Sequence, residues 1–368
     1  MFFDSCAPEP FLDALIEALP YEWSGSCTGP QLSDSHLEML RQRDLARDAQ
    51  AWARFLRPGE ATGPGERLLL SLGDDVIRYG VVVGSLSGPD HAPSLFISSS
   101  GGLADQEGEF QRLPLTSTPT EVAHLLCRLA RAADRRAIER ELHEAAAEGR
   151  HRAGWFPGGR IIVLDLETTG LDTETARVVE AAWLLADHRA LAWDSILIDP
   201  GVPIPQDAYN VHSIDDRLAS GEGAAPSETL DALVGVLAKH ISDGATLVIF
   251  NRTFDLPLLD AECGRHGLPT LADRLGRHVQ AVDPMRISQR TSNRDGHALS
   301  DLAALYSTGA IAAHMALGDC LATWDVLAAL CQGEHGRRIV RLLARWHENP
   351  RADEPLSVRH LLACSSGW

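Results

Sequence analysis

The second half of this chain predicts an α/β fold, a mixed five-stranded sheet flanked by helices, behind an amino-terminal α+β domain. Three observations carry that prediction. The apolar run Ile161-Ile162-Val163-Leu164 continues as Asp165-Leu166-Glu167 and stops at a polar turn, Thr168-Thr169-Gly170. Two more β-type segments follow at meander spacing, Val178 to Ala186 and Leu191 to Ile198. From Pro226 onward, helical and strand patterns alternate. A meander that gives way to alternating helices and strands implies antiparallel and parallel pairs in one sheet, with both faces covered.

Composition sets the outer bounds. With 368 residues, 45% hydrophobic and 23% charged, the chain has room for two domains and a sizeable core. Its formal charge of −18 argues against coating duplex DNA by bulk electrostatics. A nucleic-acid enzyme is not excluded, because bound metal can invert the field at one site. Lys239 is the sole lysine, so phosphate contacts would fall to arginine. The seven cysteines include no CxxC spacing, which fits reduced thiols better than a disulfide framework or a zinc site. The start, Met1-Phe2-Phe3-Asp4, lacks the features of a signal peptide, and no run is long enough to span a bilayer. The expectation is a cytoplasmic chain with no membrane partner.

The first half predicts helices over Phe11 to Leu19 and Leu32 to Phe55, then a hairpin. Its strands are Arg67 to Leu72 and Val76 to Val83, parted by Gly73-Asp74-Asp75. A third strand is expected over Pro93 to Ser98. Thr118, Pro119 and Glu121 are a capping box and a first-turn proline, opening a long helix with Val122, Leu125, Leu126, Leu129 and Ala133 as its apolar stripe. The arginines of that helix, interleaved with acids, read as a solvated face. Gly154 to Gly159 is the expected boundary. It divides the chain into an amino-terminal domain (1–153), a second domain (160–333) and a helical extension (334–368). Residues 1–153 carry no motif with chemistry and are the expected surface for a protein partner.

In the second domain, Pro226 to Ser242 reads as an amphipathic helix ending at Gly244, and Thr246 to Phe250 as a short buried strand. A helix should begin near Asp255, a strand is expected over Val279 to Val282, and a helix over His297 to Tyr306. A further helix should reach Cys331. Arg337 to Trp346 and Val358 to Cys364 read as helical appendages.

Three clusters of residues carry chemistry. Side chains alternate across a strand, so Asp165 and Glu167 share one face. Two carboxylates there repel unless a cation or donor lies between them, and a divalent metal is the simplest compensation. The second cluster, Phe250-Asn251-Arg252-Thr253-Phe254-Asp255, lies where a strand runs out, the place where α/β sheets expose functional groups. The third holds His314 and Asp319 at the entrance of the last long helix. Five residues apart on one straight helix, they would splay. They converge only if His314 lies on the loop that leads into the helix.

These motifs resemble the DEDDh 3′–5′ exonucleases, a family that includes the proofreading subunit of bacterial replicative polymerases, RNase T and oligoribonuclease. Asp165-Leu-Glu167-Thr168-Thr169-Gly170 matches the first motif, Asn251-Arg-Thr-Phe254-Asp255 the second, and His314 with Asp319 the third. Val211-His212-Ser213-Ile214 and Gly296-His297-Ala298-Leu299 resemble two intervening elements, and the likeness covers residues 160 to 333. Phe250 stands where many members have histidine, and Arg252 where a small residue is usual, so the nucleotide pocket is expected to differ.

The resemblance implies a ribonuclease-H-like fold and release of nucleoside 5′-monophosphates from a 3′ end. Asp165, Glu167, Asp255 and Asp319 would hold two Mg²⁺ or Mn²⁺ ions, and His314 would take the proton of the attacking water. Thr168, Thr169 and Asn251 would lie near the terminal nucleotide. Single-stranded or frayed DNA is the favoured substrate, with short RNA, or a scaffold that has the fold alone, as alternatives.

The remaining features have plainer readings. His212, His278 and His297 are expected as turn or cap residues, and Phe254, Trp183 and Trp324 as core. The stretch Arg286 to His297 reads as a basic loop, equally suited to gripping phosphate or to solvent. Gln111-Arg-Leu-Pro-Leu115 has a likeness to a sliding-clamp-binding peptide, of a length that recurs by chance.

Overall fold

The computed structural model describes residues 118–150, 156, 158–188, 190–292, 295–306, 308, 314–333 and 336–348. It adds residues 17–18, which are helical, and the strands between 69 and 114. The chain divides into two compact units, Met1–Ala133 and Asp134–Trp368. The helices expected over 11–19 and 32–55 otherwise fall outside the described residues, as does the one over Val358 to Cys364.

The first unit contains β1 (Leu69–Gly73), β2 (Arg78–Gly84), β3 (Ser94–Ser99) and β4 (Phe110–Pro114). They form an antiparallel sheet in sequence order. The expected hairpin is β1–β2, with Leu70 opposite Val81. β4 was not expected. Gln111 and Leu113 pair with Ile97 and Leu95, so the peptide that resembled a clamp ligand is a sheet strand. Proline at its end is tolerated because no further ladder bond is needed there.

Helix α1 (Pro119–Glu148) opens with the predicted capping box. The Thr118 N–H donates to Glu121 Oε2 at 2.8 Å, and the Glu121 N–H donates to Thr118 Oγ1 at 3.2 Å. Ala123 and Cys127 are buried in its first half, whereas Leu125 is half-buried. Its later turns bring Ile138, Leu142 and Ala145 into the core of the second unit.

That unit is built on β5 (Ile161–Thr168), β6 (Val178–Ala186), β7 (Leu191–Leu197) and β8 (Thr246–Val248), in the order β7-β6-β5-β8. β5, β6 and β7 are the antiparallel meander, and β8 runs parallel to β5. The strand expected at 279–282 is reduced to one parallel bridge between Val248 and Val282. Two hydrogen bonds hold it, from the Ile249 N–H to the Val282 carbonyl at 3.0 Å and from the Val282 N–H to the Leu247 carbonyl at 2.8 Å.

The helices are α2 (Gln206–His212), α3 (Asp216–Glu222), α4 (Pro226–Ser242), α5 (Arg252–Arg265) and α6 (Leu271–Leu275). They continue as α7 (Pro284–Thr291), α8 (Leu299–Tyr306), α9 (Ala316–Gln332) and α10 (Gly336–Glu348). α4 matches its prediction, with Pro226 at the first position and Gly244 in the left-handed region just after its end. α7 corrects the expected loop over 286–297: Asp283 caps it, and Ile287 and Ser288 are its buried face. Among the described residues no helix is long and apolar enough to cross a membrane.

The sheet is covered on both sides, as predicted. Ile161 and Val163 pack with α9, α10 and the end of α1, whereas Ile162, Leu164 and Leu166 pack with α4, α5 and α6. Strand alternation then puts Asp165 and Glu167 on the α9 side. That side carries Asp319.

Candidate active site

β5 and β8 point their carboxyl ends the same way, and the site lies where both run out. Asp165 faces Ala182 on β6, and Glu167 faces Glu180. A bulge between Glu167 and Thr168 then breaks the register and lets the chain leave the sheet. The carboxyl end of β8 leads through Asn251, in the left-handed region at φ 56°, into α5. That turn starts α5 at Arg252, earlier than predicted, and places Asp255 in its first turn. Asp255 is 4% exposed, and the backbone N–H groups of Asp255 and Leu166 favour its charged form.

His314 lies, as the spacing required, on the turn before α9, with φ 64°. Asp319 falls in the first turn of α9, where the helix dipole favours an anion. Ligand atoms of Glu167, His314 and Asp319 all lie within 4.8 Å of one another. Asp165 retains partial exposure. Even so, burial of its carboxyl, together with Asp319, Asp255, Glu167 and Glu180, pushes its pKa well above the usual carboxylate range. Burial, with smaller contributions from Asp283 and Asp319, pushes Asp255 up to about 8. The structure therefore brings Asp165, Glu167, Asp255, Asp319 and His314 into one pocket.

This donor set fits a hard divalent cation. Crowded carboxylates offer oxygen ligands, and their mutual repulsion is the strain that a cation relieves. Among the described residues of this cluster His314 is the only nitrogen donor, and no thiolate pair accompanies it, a set that suits zinc less.

The other predicted residues are placed differently. Thr168 and Thr169 are both nearly buried, and their hydroxyls serve the turn. Thr168 Oγ1 donates to the Gly170 carbonyl at 2.8 Å, and Thr169 Oγ1 accepts from the Arg177 N–H at 2.9 Å. Just beyond, Leu171 stands 89% exposed. Asn251 is exposed, and its Oδ1 accepts from Thr253 Oγ1 at 2.9 Å. Trp324 lies in the core on the α9 side, and Phe254 and Trp183 pack partly buried against the opposite core.

Three residues matter more than the sequence indicated. His212 is buried: its Nδ1 accepts from the Ile214 N–H at 3.0 Å, which leaves Nε2–H to donate to the Thr168 carbonyl at 3.2 Å. It thereby pins the turn that follows Glu167. Asp283 accepts from the Asn251 and Arg252 N–H groups at 3.2 Å each, and from Met285 at 3.0 Å. One carboxylate thus ties the start of α5 to the start of α7. Glu180 is buried beside the pocket, and its contacts reach the start of α9. The only prior signal for it was an acid inside an apolar strand.

Residues 162–327 match the RNase T exonuclease family. DNA polymerase III PolC-type from Lacticaseibacillus paracasei is 31% identical over 171 residues, which is 46% of this chain and 11% of that protein. The PolC-type polymerase of Pediococcus pentosaceus is 28% identical over 112 residues, 30% of this chain and 7% of that one. This chain therefore spans a small fraction of the length of the curated relatives it matches. Among solved structures, E. coli exonuclease I in complex with a dT13 oligonucleotide gives a TM-score of 0.45 at 16% identity, covering 56% of this chain and 46% of that one. The segment 162–327 is thus a domain of the RNase T family of exonucleases, in keeping with its DEDDh motifs.

Proposed function

We propose that this domain is a metal-dependent 3′–5′ exonuclease that releases nucleoside 5′-monophosphates from single-stranded or frayed nucleic acid, with DNA favoured. The observation that carries the reading is the convergence of Glu167, His314 and Asp319 within 4.8 Å, beside the crowded acids Asp165 and Asp255. Asp165, Glu167, Asp255 and Asp319 would hold a pair of cations, Mg²⁺ or Mn²⁺. When bound, these supply Lewis acidity and neutralise charge developing on the phosphoryl oxygens.

The chain's own groups do the rest. His314 accepts a proton from the attacking water, a task suited to an imidazole. The water oxygen bonds to phosphorus while the bond to the 3′-oxygen of the preceding nucleotide breaks. The freed nucleotide keeps the phosphate on its 5′ side, and the shortened strand gains a 3′-hydroxyl. The turn Thr168-Thr169 and the exposed Asn251 border the terminal nucleotide. The PolC-type relatives support a DNA substrate, since they are named as DNA polymerases.

The test is product analysis on a single strand labelled in its 3′-terminal nucleotide, with Mg²⁺ or Mn²⁺, run on DNA and RNA of one sequence. Mononucleotides shed from the 3′ end, lost on chelation, are expected, with DNA degraded faster. Internal fragments, or no metal-dependent release, would overturn the reading. Faster loss of RNA would reassign the substrate.

A further inference from the structure

Glu180 is a buried carboxylate that the proposed chemistry does not use. It sits within the apolar strand β6, directly across from Glu167, and is 4% exposed. Each of its oxygens already accepts from a protein donor. Oε1 takes the hydroxyl of Ser195 on β7 at 3.1 Å, and Oε2 takes the backbone N–H of Ala316 at 3.2 Å. Ala316 is the first residue of α9, and its N–H has no partner within the helix. Met315, at the cap position, makes no side-chain cap. Glu180 therefore does for α9, from strand β6, what Asp215 does locally for α3 and Thr270 for α6. Two residues before Ala316, His314 is held at φ 64°. That left-handed conformation is strained for a non-glycine residue and persists only where the surroundings impose it.

We infer that Glu180 is a positioning residue: by holding the Ala316 amide it fixes the left-handed turn that aims His314 into the acid pocket. The consequence for turnover rests on the exonuclease reading above; the grip itself does not. A ligand role suits the geometry less, since protein donors engage both oxygens.

The test uses the full chain. Glu180→Ala should slow mononucleotide release on the order of 10- to 100-fold, the penalty of a misplaced catalytic group. Mn²⁺ affinity by calorimetry should stay within about threefold, as expected of a group that is not a ligand. Glu180→Gln, whose amide oxygen can still accept from Ala316, should recover most of the rate. In a His314→Ala background, Glu180→Ala should add no more than about a twofold loss, because residues that act through one another do not add.

Independent of turnover, amide exchange at Ala316 should quicken in Glu180→Ala, and the His314 imidazole resonances should move. If those signals change in a chain that releases no nucleotide, the exonuclease reading fails and the positioning role stands. An unchanged rate, full additivity with His314→Ala, or equal collapse of Mn²⁺ affinity in both Glu180 variants would overturn the inference. Should Glu180→Ala fail to fold, Ser195→Ala takes its place. A deficit of about three- to tenfold that disappears in the His314→Ala background is then expected, and an unchanged rate overturns the role.

Discussion

The two sheets of this chain are assembled on different rules. β1 to β4 pair in the order in which they occur, always antiparallel. Along either edge of that sheet, strand beginnings therefore alternate with strand ends. In the second sheet, β5 and β8 are parallel neighbours although α2, α3 and α4 lie between them in sequence. Both carboxyl ends consequently open on one edge, where β5 itself carries Asp165 and Glu167 and the turn after β8 delivers Asp255 in the first turn of α5. The parallel pair, more than either strand alone, is what makes a site. A meander of hairpins has no equivalent edge.

The sharpest way to break this contrast is to remove acids from the parallel pair and from α9. Asp165→Ala or Asp319→Ala should lower nuclease rate on the order of 10³-fold or more while circular dichroism stays unchanged. Full activity in either variant would discard the site. His314→Ala should cost on the order of 10²- to 10⁴-fold but leave Mn²⁺ binding intact by calorimetry. An undiminished rate would remove its role as base.

Next is the joint beneath the site. Asp283→Ala strands the N–H groups of Asn251 and Arg252 and removes a cap from α7. It should destabilise the domain by about 1–3 kcal/mol in denaturant titration. No change in the midpoint would mean that those bonds are dispensable.

A subtler effect concerns the metal-free domain. Asp165 and Asp255 have folded-state pKa values raised above those of the unfolded chain, the latter to about 8. Between the unfolded value and the raised one, the folded state binds more protons. Stability of the chelated protein should therefore be greatest at low pH with respect to these groups, and fall as pH rises toward 8. Asp165→Asn should flatten that fall and raise the melting temperature without metal, by about 2–4 °C for each kcal/mol relieved. A melting temperature insensitive to the substitution would refute the electrostatic strain. Smallest of all, Val81→Ala in the antiparallel sheet, which belongs to the other compact unit, should leave the nuclease rate within about twofold.

Legibility followed the length and regularity of each pattern. β6 and α4 match their predicted limits because nine and seventeen residues, respectively, repeat a single period. The four acids and the imidazole that the structure gathers were suggested by their motifs and the family resemblance those carry, and the off-helix position of His314 by the impossibility of meeting Asp319 on one straight helix. α2, α3 and α6 are five to seven residues long, too short to show a helical stripe. α7 hid behind its polar composition, because only one side of Pro284–Thr291 is buried. β4 hid because its run is short, polar at Gln111 and Arg112, and ends in proline. Glu180, His212 and Asp283 were illegible for a different reason: each acts on a backbone group brought near only by the fold.

Leu171 offers something none of these residues can. A side chain 89% in water contributes almost nothing to holding the domain together, so replacing it with serine should leave melting behaviour untouched. Any change in how the protein grips a strand would then be free of the usual confusion between a damaged scaffold and a lost contact. One solvated leucine, next to the Thr-Thr-Gly turn, is a built-in probe for whatever approaches from outside.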